Sequence, residues 1–268
     1  MLRPRPNVLS LQKGFKLASG SPSFHYGFIK RPYLQRLAGC ARRNSSKALS
    51  FNDLPSHVAP SFSFWPTFLS LSEQKVLLSA SLQKLDSMDP VPLRRRRAKV
   101  LSKAPKQHSD DLQNIFGPDE LYDFHEGHYD GVIHHYREMP LSSWPDAAGL
   151  PAILERLHSL CPTKDIQTHL LHLSSYGDIL PHVDNIEASG TWIMGVSLGD
   201  ERVLRMEGAA GDSDRIEAYE LLLPSGSVYL QRDAVRYHYK HSIVRKPQNQ
   251  LGGHGQRLSV MFRDLPTR

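Results

Sequence analysis

The chain has 268 residues, of which 40% are hydrophobic, enough to bury a real core in one or two domains. It contains no run of 18 or more apolar residues, which argues against a membrane-spanning helix. The net charge of +6 is not spread over a basic surface: residues 1–52 hold ten Lys and Arg and no Asp or Glu, and the remainder carries 23 basic against 27 acidic side chains, so net charge gives no support to nucleic-acid contact.

The first segment is Arg-rich, Ser-rich and acid-free, which predicts an organellar transit peptide over about residues 1–50, with a disordered basic tail as the alternative. Cys40 would leave with it. Cys161 then has no intrachain partner, and no Cys/His zinc pattern exists, consistent with a reducing interior compartment. Residues 68–85 (FLSLSEQKVLLSASLQKL) read as an amphipathic helix that starts at a capping box made by Ser70 and Glu73. The stretch 89–111 (DPVPLRRRRAKVLSKAPKQHSDD) is charged and Pro-punctuated. It reads as a loop within a charged insertion of about 89–121, with a phosphate-binding cluster at Arg94–Arg97 as the alternative. A second helix is expected from Leu150 onward. From Thr163 the texture changes to short apolar runs (IQTHLLHL, GTWIMGVSL, RVLRME, YELLL, SVYLQ, HSIV, RLSVMF) parted by Pro, Gly, Ser and Asp. Such runs predict a β-barrel or sandwich over about 166–264, preceded by helices, so the fold class is mainly β with flanking helices (α+β).

Three His-x-Asp pairs occur: His108/Asp110, His128/Asp130 and His182/Asp184. Chance alone accounts for one or two, so context decides between them. Residues i and i+2 of a strand share a face, so His182 and Asp184 converge on one point at a strand edge inside the β region. His108/Asp110 sits in the charged stretch, which offers no rigid support. A third donor is needed from the late strands, where RYHYKHSIVR offers His238 and His241. His241 begins an apolar run that would hold it, and His238 looks like a rim residue. Two His and one carboxylate on a triangular face leave three octahedral positions open, two for a 2-oxo acid and one for O2. In QRLSVMFR, Arg257 and Arg263 are six residues apart and face one side with Ser259 and Met261; Leu258, Val260 and Phe262 face the other. Two inward arginines are costly unless an anion neutralises them, and a carboxylate would do so in a bidentate contact. Two exposed edge arginines are the alternative reading.

With His-x-Asp, a downstream His and Arg-x5-Arg in place, the chain resembles the AlkB family of Fe(II)/2-oxoglutarate dioxygenases. GDILPHVDNIEASGTWIMGVSL, LLLPSGSVYLQRDAVRYHYKHSIVR, RLSVMFRDLP, YDFHEGHYDGVIHHYREM and LRRRR are similar to its mitochondrial branch, AlkB homologue seven. The likeness covers about residues 60–266 and implies a double-stranded β-helix (jelly roll) within a domain of 60–268. It implies His182, Asp184 and His241 as Fe(II) ligands, and Arg257 on the distal carboxylate of 2-oxoglutarate. It places Arg263 near the 1-carboxylate and Asp184, with Tyr229 and Ser259 lining the co-substrate. His169 reads either as a co-substrate neighbour or as a packed strand residue, and His128/Asp130 as structural or substrate-side. The Asn-x-Tyr of the DNA-repair members is not evident, the matching region being HLLHLSSYGD. The branch lacks a base-gripping lid, so base demethylation does not follow from membership.

Two functions follow. One is a mitochondrial dioxygenase, in the matrix, using Fe(II), 2-oxoglutarate and O2 on a protein side chain, an RNA base or a lipid-linked metabolite. Trp192, Tyr237 and Tyr239 are the aromatic candidates for stacking on a base. The other is a poorly active 2-oxoglutarate-binding regulatory protein. The branch's link to programmed necrosis and fatty-acid metabolism fits either.

Overall fold

A computed structural model describes residues 47–48, 56–103, 111–128, 130–187, 189–208, 218–246 and 255–265. The transit-peptide expectation, apart from Lys47 and Ala48, and the His108/Asp110 pair lie outside these residues. Among the described residues the elements in chain order are β1 (Lys47–Ala48), β2 (Phe62–Trp65), α1 (Leu71–Asp86), α2 (Val91–Lys103), β3 (His125–Gly127), β4 (Ile133–Leu141), α3 (Leu150–His158), β5 (Ile166–His182), β6 (Trp192–Gly199), β7 (Arg202–Gly208), β8 (Ala218–Leu223), β9 (Val228–Arg232), α4 (Asp233–His238), β10 (Tyr239–Arg245) and β11 (Arg257–Asp264). None of these helices is long and apolar enough to cross a membrane.

The strands run in the order β1-β8-β7-β10-β5-β11-β6-β9-β2, with β3 and β4 attached to β5. All the pairings are antiparallel except β1 with β8. The 17-residue strand β5 joins two curved faces: residues 166–173 pair with β11, and 179–182 pair with β10. Its register with β4 shifts around Gly177, where a Cβ would meet the His135 carbonyl oxygen at 2.8 Å and the Leu173 side chain at 2.9 Å, so only glycine lets β4 approach that closely. From β5 onward most links pass from one face to the other: β6 lies beside β11, β7 beside β10, β8 beside β7, β9 beside β6, and β11 returns to β5. This is the curled antiparallel arrangement of the expected jelly roll.

Alternation along the strands separates two cores. One side of β6, β9 and β11 presents Met194, Val196, Leu198, Leu230, Leu258, Val260 and Phe262 to α1 and α3. Those helices supply Leu77, Leu78, Leu85, Leu150 and Leu157, all 1% exposed or less, each contributing about 2 kcal/mol of burial. The other side, with Leu171, Leu173, Ile193 and Tyr229, faces Leu204, Met206, Leu221 and Ile243 from the opposing strands. The capping box is present: Ser70 Oγ accepts from the Glu73 backbone N–H, and Glu73 Oε2 accepts from the Ser70 N–H at 2.8 Å. The second helix begins at Leu150 as expected.

Two expectations are corrected. The strands do not wait until residue 166: β2, β3 and β4 precede it and join the same sheet. The charged stretch is not a loop, because residues 91–103 form α2. Arg and Lys are good helix formers, and Pro92 in the first turn lacks an N–H that would be unbonded anyway. One residue of this helix is buried, Arg97, at 3% exposure. It pairs with Asp89 at 2.7 Å and Asp86 at 3.0 Å and donates to the Leu121 carbonyl. Arg137 meets the same two carboxylates, and the Tyr122 ring lies under both guanidinium groups. Arg97 is therefore held inside the protein and is not a phosphate ligand.

Candidate metal and co-substrate site

The three proposed metal donors come from two neighbouring strands and the loop between β5 and β6. His182 closes β5, His241 lies opposite it in β10 as its register partner, and Asp184 follows two residues after His182. Their donor atoms all lie within 4.8 Å of one another. His182 Nε2 is 3.2 Å from Asp184 Oδ1, and His241 Nε2 is 3.7 Å from Asp184 Oδ2. The His182 Nδ1–H donates to the Leu180 carbonyl at 2.9 Å, which directs Nε2 at Asp184 and makes it the ring atom that would ligate a metal. Asp184 Oδ2 is buried and makes no hydrogen bond, so a cation between these groups would satisfy it.

The charges fit a cation site. Burial alone would raise the Asp184 carboxyl, but the nearby His241, His182 and Arg263 hold it far below the usual carboxylate range. Burial pushes His241 down to about 4, against the pull of Asp184, so it is neutral and able to ligate at pH 7. Desolvation is the largest influence on His182 and lowers it, but the hydrogen bond and charge of Asp184, the Leu180 carbonyl and the Asp130 charge together outweigh it and leave His182 raised. Metal binding there would displace a proton where His182 is charged.

The expected co-substrate residues line the same cavity, which holds about 40 Å³ between the two curved faces of the sheet. Arg257, Ser259, Met261 and Arg263 face it from β11, and Tyr229 faces it from β9. Arg257 is 0% exposed. Its Nε donates to Ser197 Oγ at 3.0 Å, while Nη1 and Nη2 are buried and make no hydrogen bond. The Tyr229 hydroxyl lies close enough to influence this guanidinium without meeting hydrogen-bond geometry. Burial lowers Arg257 and raises Tyr229, and neither shift discharges the arginine at neutral pH. Two buried cationic nitrogens without a hydrogen-bond acceptor in this cavity call for an anion, and a carboxylate matches their fork. The Tyr229 ring packs over Gly195, where a Cβ would come within 2.5 Å of it. The inward set expected for β11 is thus observed, and Leu258, Val260 and Phe262 take the opposite side as expected, which the structure packs on the helices.

Other expectations sort differently. His238 is exposed on α4 and away from the cavity, as a rim residue would be. His128 Nδ1 is 2.8 Å from Asp130, and that pair sits beside β3 and β4, outside the metal cluster. His169 does line the cavity, but it is bonded through Nε2 to Glu138 Oε2 at 2.8 Å. Trp192 is no stacking platform: it is 1% exposed in the helix-side core, with Nε1 donating to Thr163. The sequence reading missed Glu138 and the wall made by Ile133, Leu171, Ile179 and Ile243. Two larger surface clefts, of about 760 and 690 Å³, contain none of the metal or co-substrate residues.

Comparisons with known proteins give the family. The model of the 2OG-Fe(II) oxygenase superfamily matches residues 61–263. The mitochondrial alpha-ketoglutarate-dependent dioxygenase alkB homolog 7 of Mus musculus is 35% identical over 147 residues, covering 52% of this chain and 64% of the mouse protein. Its Bos taurus counterpart is 36% identical over the same shares of each chain. The match thus spans less than two thirds of the length of these relatives. Among solved structures, OsALKBH1 aligns at a TM-score of 0.45 with 18% identity, covering 76% of this chain and 96% of that one. A Pseudomonas putida prolyl-4-hydroxylase aligns at 0.44 with 12% identity, covering 78% and 94%. With the family model covering the described core from β2 to β11, this chain belongs to the 2OG-Fe(II) oxygenase superfamily.

Proposed function

We propose that this protein is a mitochondrial Fe(II)- and 2-oxoglutarate-dependent dioxygenase with His182, Asp184 and His241 as iron ligands. Iron(II) at that position would supply the activation of O2 that is coupled to oxidation of 2-oxoglutarate to succinate and CO2. The protein's own residues do the positioning. The Leu180 carbonyl fixes the His182 tautomer. Arg257 takes the distal carboxylate on its two unbonded nitrogens, with Tyr229 and Ser259 beside it. Arg263 stands near Asp184 and the other end of the co-substrate. The apolar wall of Ile133, Leu171, Ile179 and Ile243 limits water around the reacting centre.

The single observation that carries this reading is the buried Arg257 fork, without a hydrogen-bond partner, in the same cavity as a His-Asp-His cluster. An isolated metal site does not require it, and a structural arginine would have its donors satisfied. The names of the mouse and bovine relatives support the mitochondrion, and the acid-free leader supports the matrix. The substrate is a C–H bond in a protein side chain, an RNA base or a lipid-linked metabolite.

The test is succinate release by the purified protein across panels of peptides, modified RNA and acyl metabolites. Turnover raised by one class identifies the substrate. Binding of iron and 2-oxoglutarate with no turnover on any class would overturn the enzymatic reading in favour of a regulatory binder.

A further inference from the structure

Asp184 is the one proposed donor that no strand holds. It lies just past the end of β5, in the connection that runs to Trp192 at the start of β6. A carboxylate on an unsupported loop would sample many positions, yet this one faces both imidazoles. The support comes from α4. Arg236 is 3% exposed, and its guanidinium reaches three acceptors on that connection. Nη1 donates to the Asp184 carbonyl at 3.0 Å, and Nη2 donates to the Asn185 carbonyl at 3.3 Å and to Ser189 Oγ at 2.8 Å. The far end is fastened by the last residue of β11. Asp264 Oδ2 accepts from the Thr191 N–H at 2.8 Å and from its hydroxyl at 3.0 Å, and the Gly190 N–H donates to the Asp264 carbonyl at 3.1 Å. A Cβ on Gly190 would lie 2.5 Å from that carboxylate, which explains the glycine.

We propose that Arg236 is a positioning residue for the metal site. It acts through the backbone of Asp184 and sets how tightly iron is held. Arg236 precedes His241 by five residues, so α4 ties the loop carrying one donor to the strand carrying another. Asp264 follows Arg263 directly, so the opposite end of the same loop is tied to the co-substrate strand. The planar fork is the reason for arginine. Lysine keeps the charge but, as a compact ammonium on a flexible stem, cannot span the three acceptors with the same order.

The inference rests on Asp184 being an iron ligand, and the experiment separates the two claims. Iron(II) affinity of the full chain is measured without oxygen by competition against a coloured chelator, for wild type, Arg236→Met, Arg236→Lys and Asp184→Ala. Circular dichroism and the metal-free unfolding midpoint are recorded for each. Groups that orient metal ligands change affinity by about 10–100-fold. Arg236→Met is expected in that range, with Arg236→Lys between it and wild type, while the metal-free fold is retained. A folded Arg236→Met protein with wild-type iron affinity would overturn the proposal. If Arg236→Met does not fold, Arg236→Lys decides: weakened iron supports the clamp and wild-type affinity refutes it. Loss of iron in Asp184→Ala together with full affinity in the Arg236 variants sinks the clamp alone. Full affinity in Asp184→Ala sinks the ligand assignment beneath it.

Discussion

Replacing Arg257 by methionine should move two measurements in opposite directions. The guanidinium is fully buried, with Nη1 and Nη2 making no hydrogen bond. Burial desolvates this cation, and an apolar side chain of similar length removes that cost. The unfolding midpoint of Arg257→Met without 2-oxoglutarate should therefore equal or exceed that of wild type. With 2-oxoglutarate the sign reverses. Truncating one partner of a buried, hydrogen-bonded charge pair costs about 2–5 kcal/mol. Taking about 3 kcal/mol, affinity falls roughly a hundredfold. A concentration of 100 times the wild-type Kd stabilises wild type by about 2.7 kcal/mol and the variant by only a few tenths. The assay is thermal unfolding with and without 2-oxoglutarate, using Mn(II) in place of iron to prevent turnover. A variant that keeps the full co-substrate shift, or that is strongly destabilised without it, would refute the reasoning.

Three further outcomes follow from the packing. Gly195→Ala places a Cβ within 2.5 Å of the Tyr229 ring, so the ring must move and 2-oxoglutarate affinity should drop at least tenfold; titration with the co-substrate checks this. Asp89→Ala leaves Arg97 and Arg137 buried with only Asp86 to share, and should cost about 3 kcal/mol of stability by denaturant titration. His172 accepts from Arg137 at Nδ1 and donates to Gln256 through Nε2, which requires a neutral ring; burial first, then the Arg137 charge, hold it well below its ordinary 6.5. The folded state then binds fewer protons than the unfolded state, so stability is full above about pH 6.5 and is lost as pH falls toward the folded value. Unfolding titrations of metal-loaded protein between pH 7 and 5 should show this decline, and His172→Gln should flatten it.

How legible the molecule was depended on whether a signal was local. Strand β11 could be read directly because alternation assigns each of its residues a face, and Leu258, Val260 and Phe262 took the side opposite the arginines as expected. Ser70 and Glu73 were readable because a capping box is complete within four residues. Helix α2 was not, because Arg97 is its one buried residue, so no apolar stripe marks its period, and its anchors Asp86, Asp89 and Tyr122 lie outside it. Strand β4 was hidden in IHHYREMPL, where a register shift after His134 and the inward Glu138 break the expected alternation. Arg236 carried no signal at all, since its three acceptors lie 47–52 residues away in the chain.

The central claim is that His182, Asp184 and His241 bind one iron between them. Iron stoichiometry of anaerobically reconstituted protein, measured with 2-oxoglutarate present, tests it most directly. One iron per chain is expected in wild type and in His128→Ala, and none in His182→Ala or His241→Ala. Full iron occupancy in a folded His241→Ala protein would contradict the account.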